Sequence, residues 1–132
     1  MNVLLDTHLL LWLAADSPRA GAEVRELLRS APTRYVSAAS AYEIALKTRH
    51  GRIPGGRSVL DGWDRLLGGL QATELPLSVA HMQRAGAMAW EHRDPFDRML
   101  AAQAQLEGLV LLTQDPVLRT FEEVRTSWSS TP

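Results

Sequence analysis

Cysteine is missing from all 132 residues, so this chain has neither a disulfide framework nor a thiolate metal site available to it. That absence fits a reducing compartment, and a cytoplasmic location is the expectation. No basic start or cleavage site marks the N-terminus, and Asp6 interrupts the first apolar run, which speaks against a signal peptide. No apolar stretch is long enough to span a bilayer, so no membrane association is expected. An excess of charge is also lacking. At a formal net charge of −1 the protein is not a polyanion binder held by bulk charge, and any nucleic-acid contact must come from a local patch or a bound metal. His8, His50, His81 and His92 have no ligand spacing, which argues against zinc. Repeats, linkers and low-complexity segments are absent. The chain reads as one domain over 1–128, large enough to bury a core, with a tail over 129–132 expected to be disordered.

What is present is an alternation of short apolar runs with helical patterns. Asn2-Val3-Leu4-Leu5 reads as a strand ending at Asp6-Thr7. The run His8 to Ala15 is apolar nearly all round, which predicts a helix buried on most faces, with surface to spare for a second copy of the chain. Ser17-Pro18 is a cap-and-start pair and predicts a helix to about Ser30, followed by a strand over Arg34 to Ser37 and a helix from Ala38 to Arg49. Ile53 to Ser58 reads as a loop. Val59, Trp63, Leu66, Leu67 and Leu70 then share one face of a single helix, so Trp63 is expected in the core. Thr73 to Leu77 is an edge strand, because Pro76 is tolerated only there. Ser78 caps a helix through about Trp90 that is expected to bury Val79, Met82, Ala85, Ala89 and Trp90.

Asp94-Pro95 opens the next helix, with Phe96, Met99, Leu100 and Ala104 on one side and Gly108 at its end. Leu109 to Leu112 lacks alternation and suits a parallel strand covered on both faces. A short helix and a last strand within Val124 to Trp128 complete the chain. The sum is an α/β fold around a mostly parallel sheet.

Four acids fall at related places in that pattern. Asp6 ends the first strand, Glu43 follows the second, Asp97 opens the helix that feeds the next buried strand, and Asp115 ends that strand. Each has a bland reading as well. Asp97 suits the positive end of a helix dipole, Asp115 before Pro116 suits a cap, and Ser40 to Glu43 has capping-box spacing unless Ser37 is the cap instead. Right-handed crossovers would bring at least Asp6, Glu43 and Asp115 to one sheet edge, where open α/β sheets bind ligands. Carboxylates gathered there repel one another unless a cation offsets them, and all-oxygen donors favour Mg²⁺ or Mn²⁺. Such a metal supports hydrolysis of a phosphoryl group. Lys47, Arg49, His50, Arg52 and Arg57 form a basic stretch beside Glu43, while Arg93 and Arg98 flank the acids; phosphate contact and ordinary solvation both fit these residues.

Four segments in order carry a family resemblance. They are Val3-Leu4-Leu5-Asp6-Thr7-His8-Leu9-Leu10-Leu11-Trp12-Leu13, Val36-Ser37-Ala38-Ala39-Ser40-Ala41-Tyr42-Glu43-Ile44-Ala45-Leu46-Lys47, His92-Arg93-Asp94-Pro95-Phe96-Asp97-Arg98 and Leu111-Leu112-Thr113-Gln114-Asp115. Together they resemble the PIN-domain (PilT N-terminus) ribonucleases, specifically VapC-type toxins of toxin–antitoxin operons. The resemblance implies a three-layer α/β/α sandwich and an Mg²⁺- or Mn²⁺-dependent endoribonuclease, usually homodimeric and silenced by a VapB-type antitoxin. It implies Asp6, Glu43, Asp97 and Asp115 as the acidic quartet, with Thr7 and Thr113 in supporting hydroxyl positions and Asp94 as ligand or helix cap. Tyr42 and Gln114 depart from the family pattern, which more often has Trp and a basic residue there. A receiver module would need a phosphoacceptor Asp ending a mid-chain strand, and a haloacid-dehalogenase-like phosphatase would need Asp at position 8, where His8 stands. A non-catalytic binding module of the same fold is the remaining alternative.

Overall fold

Alternation along three-residue strands divides the core in two. In the computed structural model, which describes residues 1–129, β1 (Val3–Leu5) sends Val3 and Leu5 into one cluster and Leu4 into the other. Its neighbour β4 (Val110–Leu112) divides Val110 and Leu112 from Leu111 in the same way. Both strands are buried on both faces, as unalternating apolar runs require. One layer holds α1 (Thr7–Ala14), α2 (Ala22–Ser30), α4 (Gly56–Asp61) and α5 (Trp63–Leu70), joined by Ile44 of α3 (Ala38–Arg49). The other holds α6 (Val79–Ala87), α7 (Pro95–Glu107) and α8 (Pro116–Arg119). This is a three-layer α/β/α arrangement.

With β2 (Arg34–Ser37), β3 (Ala72–Leu75) and β5 (Thr126–Ser127), the sheet has the order β3-β2-β1-β4-β5, and every pairing among the described residues is parallel. The chain leaves β1 towards β2 and later returns on its other side as β4. The carboxyl ends of β1 and β4 therefore flank a topological switch point, the crevice where open α/β sheets receive ligands. β3 is an edge strand and stops before Pro76, as the missing proline N–H demands.

Several boundaries differ from the sequence reading. Ser17-Pro18 does not begin a helix: Ser17 Oγ accepts from the Arg19 N–H in a local turn, and α2 starts after Gly21. The single helix expected over 59–70 is two, because Gly62 ends α4 and precedes α5. The buried positions of α6 are His81 and Ala85, continued by Met88 beyond its end, whereas Val79 is 74% exposed and Met82 44%. The sequence pattern places both in the core; instead His81, buried with its Nε2 2.8 Å from Glu107 Oε2 of α7, and Ala85 form the inward face. Ala89 is also exposed and Trp90 half-buried. Of the tail expected to be disordered, residues 130–132 lie outside the described residues. Among the described residues no helix is long and apolar enough to cross a membrane.

Candidate active site

Asp6 leaves the end of β1 as the N-cap residue of α1, but its side chain makes no capping bond there. Its Oδ2 accepts from Thr113 Oγ1 at 2.7 Å, just beyond the end of β4. The same Thr113 hydroxyl accepts from the Asp115 N–H at 3.0 Å, so one buried threonine links the acids of two neighbouring strands. Asp115 is also a true cap: its Oδ1 accepts from the Val117 N–H, opening α8. Thr7 turns inward and shares a hydrogen bond with Ser40, which joins the start of α1 to α3.

Ser37, not Ser40, caps α3 by accepting from the Ala39 N–H. Glu43 is consequently interior to the helix and buried, with its carboxylate paired to Lys47 one turn on. Across the cleft Asp94 caps α7, accepting from the Phe96 and Asp97 N–H groups at 2.9 and 3.1 Å. That leaves the Asp97 carboxylate free of capping, and its Oδ2 meets His92 Nε2 at 2.7 Å.

Neighbouring acids act on Asp97 and on Asp6 through their charges. Burial raises the Asp97 carboxyl to about 6; the His92 hydrogen bond lowers it, and the charges of Asp94, Asp6 and Asp115 raise it again. Burial likewise raises Asp6, where the Thr113 hydrogen bond and His8 pull downward and the charge of Glu43 pushes upward. Asp97 thus feels both strand-end acids and Asp6 feels Glu43. Carboxylates so placed, Asp6 and Glu43 buried and Asp97 and Asp115 half-buried, are a donor set suited to a hard divalent cation.

The group of three ligating atoms within 4.8 Å of one another among the described residues is a different one, His92, Asp94 and Asp97; Asp6, Glu43 and Asp115 are not drawn into a group that tight. This corrects the expectation that no histidine stands in ligand spacing; His92, on the irregular segment before Pro95, reaches Asp97 in the first turn of α7. The signal was there as a histidine two and five residues ahead of two acids. Asp97 belongs to both sets. Of the two, the oxygen-only quartet suits Mg²⁺ or Mn²⁺ better, since one oxygen of Asp94 is already occupied by two backbone N–H groups.

The basic candidates separate. Arg49, Arg52 and Arg93 are exposed. Lys47 is held by Glu43. Arg98, grouped with the possible phosphate contacts, donates instead to the backbone carbonyls of Ala85, Gly86, Met88, Trp90 and His92, which leaves its guanidinium spent on the α6–α7 connection. A sequence cannot announce this, because the acceptors are main-chain carbonyls.

A family model of the PIN domain matches residues 3–124 of the chain. Ribonuclease VapC22 of Mycobacterium tuberculosis is 30% identical over 124 residues, covering 94% of this chain and 95% of that protein. Among solved structures, VapBC2 from Rickettsia felis bound to a DNA fragment from their promoter superposes with a TM-score of 0.71 at 13% identity, over 96% of this chain and 98% of that one. A toxin–antitoxin complex from Klebsiella pneumoniae gives 0.61 at 20% identity, over 92% and 94% of the two chains. At these identities the structural likenesses speak for the fold alone.

Proposed function

Because the chain belongs to the PIN-domain family, with a VapC-type ribonuclease matching nearly its whole length, we propose that it is an endoribonuclease toxin dependent on Mg²⁺ or Mn²⁺. The observation that carries this reading is the meeting of acids at the switch point, where Thr113 links Asp6 to Asp115 and the charges of both help raise the half-buried Asp97 carboxyl to about 6. Asp6, Glu43, Asp97 and Asp115 would hold the metal, Thr113 would fix the relative positions of Asp6 and Asp115, and Thr7 would tie α1 to the helix bearing Glu43. A bound divalent cation would polarise the scissile phosphoryl group and activate water for in-line attack. His92 orients the Asp97 carboxylate. Arg49, Arg52 and Arg93 are free to meet the RNA backbone, whereas Lys47 would first have to leave Glu43. The protein would act in the cytoplasm as a homodimer silenced by a VapB-type antitoxin; the toxin–antitoxin complexes among its structural relatives support such a partner.

The test is to incubate RNA with protein loaded with Mg²⁺ or Mn²⁺ and to sequence the cut ends. Attack by water leaves a 5′-phosphate and a 3′-hydroxyl without using the 2′-OH. Ends bearing 2′,3′-cyclic phosphate would overturn the mechanism, and uncut RNA at full metal occupancy would leave a binding module of the same fold.

A further inference from the structure

The acids do not stand alone at the switch point. Asp6 and Asp115 line a cleft of about 240 Å³ whose other walls are His8, Leu9, Trp12, Gln114 and Trp128. Trp12 and Trp128 meet edge to face, with ring centroids 6.0 Å apart at 84°. His8 stacks loosely on Trp12 at 6.2 Å and 29°, and the Arg19 guanidinium lies 5.9 Å from the same ring. Trp12 is therefore the anchored member, engaged by three neighbours. Trp128 is only half-buried, and His8 is exposed, so both keep ring surface towards the cleft. Gln114, also exposed, adds an amide that both donates and accepts.

We propose that this cleft, walled by His8, Trp128 and Gln114 beside Asp6 and Asp115, is a nucleobase-binding subsite that stacks one base next to the phosphate held at the acids. Its chemistry distinguishes a base from other occupants. An unpaired base offers a flat π-face to the rings and a hydrogen-bonding edge to the amide, the combination by which single-stranded RNA is read. An apolar side chain would leave the Gln114 amide unmatched. The cleft also explains why aromatic rings sit at the mouth of an acidic crevice: the charge there is for the phosphate by way of a cation, and the rings are for the base. The subsite rests on the nuclease reading for its substrate but not for its stacking surface, so the two can fail separately.

The experiment titrates a short single-stranded RNA, carrying 2-aminopurine at successive positions, with the Asp97→Asn protein in Mn²⁺, where binding is read without turnover. One position is expected to be quenched on binding. Trp128→Leu should lose that quench and weaken binding on the order of tenfold, the usual scale for one stacked base, while Trp128→Tyr should retain both. His8→Ala changes an exposed residue and supplies an independent loss should Trp128→Leu fail to fold. Unchanged quench and affinity in His8→Ala and Trp128→Leu would overturn the subsite. So would a lack of quench at every position, including the case in which two copies bury Trp128 between them. In parallel, wild-type protein is given the unmodified RNA in Mn²⁺: no cleavage alongside a persistent quench would remove the nuclease reading and leave the subsite standing.

Discussion

Asp115 shows that capping leaves room for the proposed metal ligation by the same side chain. One oxygen opens α8, and the backbone N–H of the same residue hangs on the threonine that also binds Asp6. Asn caps a helix about as well as Asp, whereas it is a poor substitute for a charged ligand. Asp6→Asn and Asp115→Asn are expected to keep or slightly raise metal-free stability, since each removes a repelling charge. Both should abolish RNA cleavage and shrink the melting-temperature rise given by Mn²⁺, which thermal melts with and without metal would measure. Full activity in both variants would confine these acids to structure. Asp97 adds a pH signature. Its carboxyl is at about 6 when folded against an ordinary 3.8, so between those values the folded chain holds more protons than the unfolded chain. Its contribution to stability is complete below the ordinary value and is lost as pH rises through the folded one. Melts of metal-free protein should fall across that window, and the fall should flatten in Asp97→Asn. Protons and the proposed metal would compete for the same oxygens, so the rise in melting temperature given by Mn²⁺ should grow over the same interval.

At the scale of elements, Arg98 decides how the loop bearing His92 is held. The last carbonyls of α6 have no partner within their helix, and those after it run through a connection with little secondary structure. The Arg98 guanidinium, projecting from the first turns of α7, collects both groups. Hydrogen bonds from a charged donor contribute about 1.5–3 kcal/mol each at most, and they are not additive within a network. Arg98→Gln is expected to lower the melting temperature by several degrees, while Arg93→Gln, on an exposed neighbour, should leave it nearly unchanged. Equal effects would return Arg98 to the list of phosphate contacts. Gln103 has a comparable role one layer deeper. Fully buried, it accepts from Ser37, the cap of the Glu43 helix, and donates to the carbonyl of Pro76 beyond β3, linking the helix of Asp97 to that of Glu43.

For the whole molecule, the outstanding question is what covers α1. Leu9 and Leu10 are fully buried, but Leu11, Trp12 and Leu13 remain only partly so in the single chain. Leu11, Ala14 and Ala15 face Ile53, Pro54, Val59 and Leu66 across an open apolar groove. A helix this apolar has more such surface than one chain encloses. Homodimerisation through α1 and α2 is the expected outcome, read by light scattering at micromolar concentration; a monodisperse monomer would remove it.

How much of this was legible depends on the range of the interaction concerned. Caps are local, so Asp94 before Pro95, Ser78, and Gly108 with its positive φ were readable as ends of helices from a few neighbouring letters. The unalternating strands Val3–Leu5 and Val110–Leu112 declared a two-sided burial, and strands alternating with helices declared the α/β class. The acids were visible as candidates because each follows or precedes a recognisable strand. What only the tertiary structure decided was pairing between distant segments: that Thr113 would link Asp6 to Asp115, that His92 would fold back onto Asp97, that Arg98 would spend itself on carbonyls, and that Trp128 would meet Trp12 beside the acids. Sequence periodicity reports which side of an element is apolar, and it misassigns Val79 and Met82 because the inward face of α6 carries His81, which meets Glu107 of α7. Hydrogen bonds and ring contacts between elements depend on where the elements stop and how they cross, and those are properties of the assembled layers.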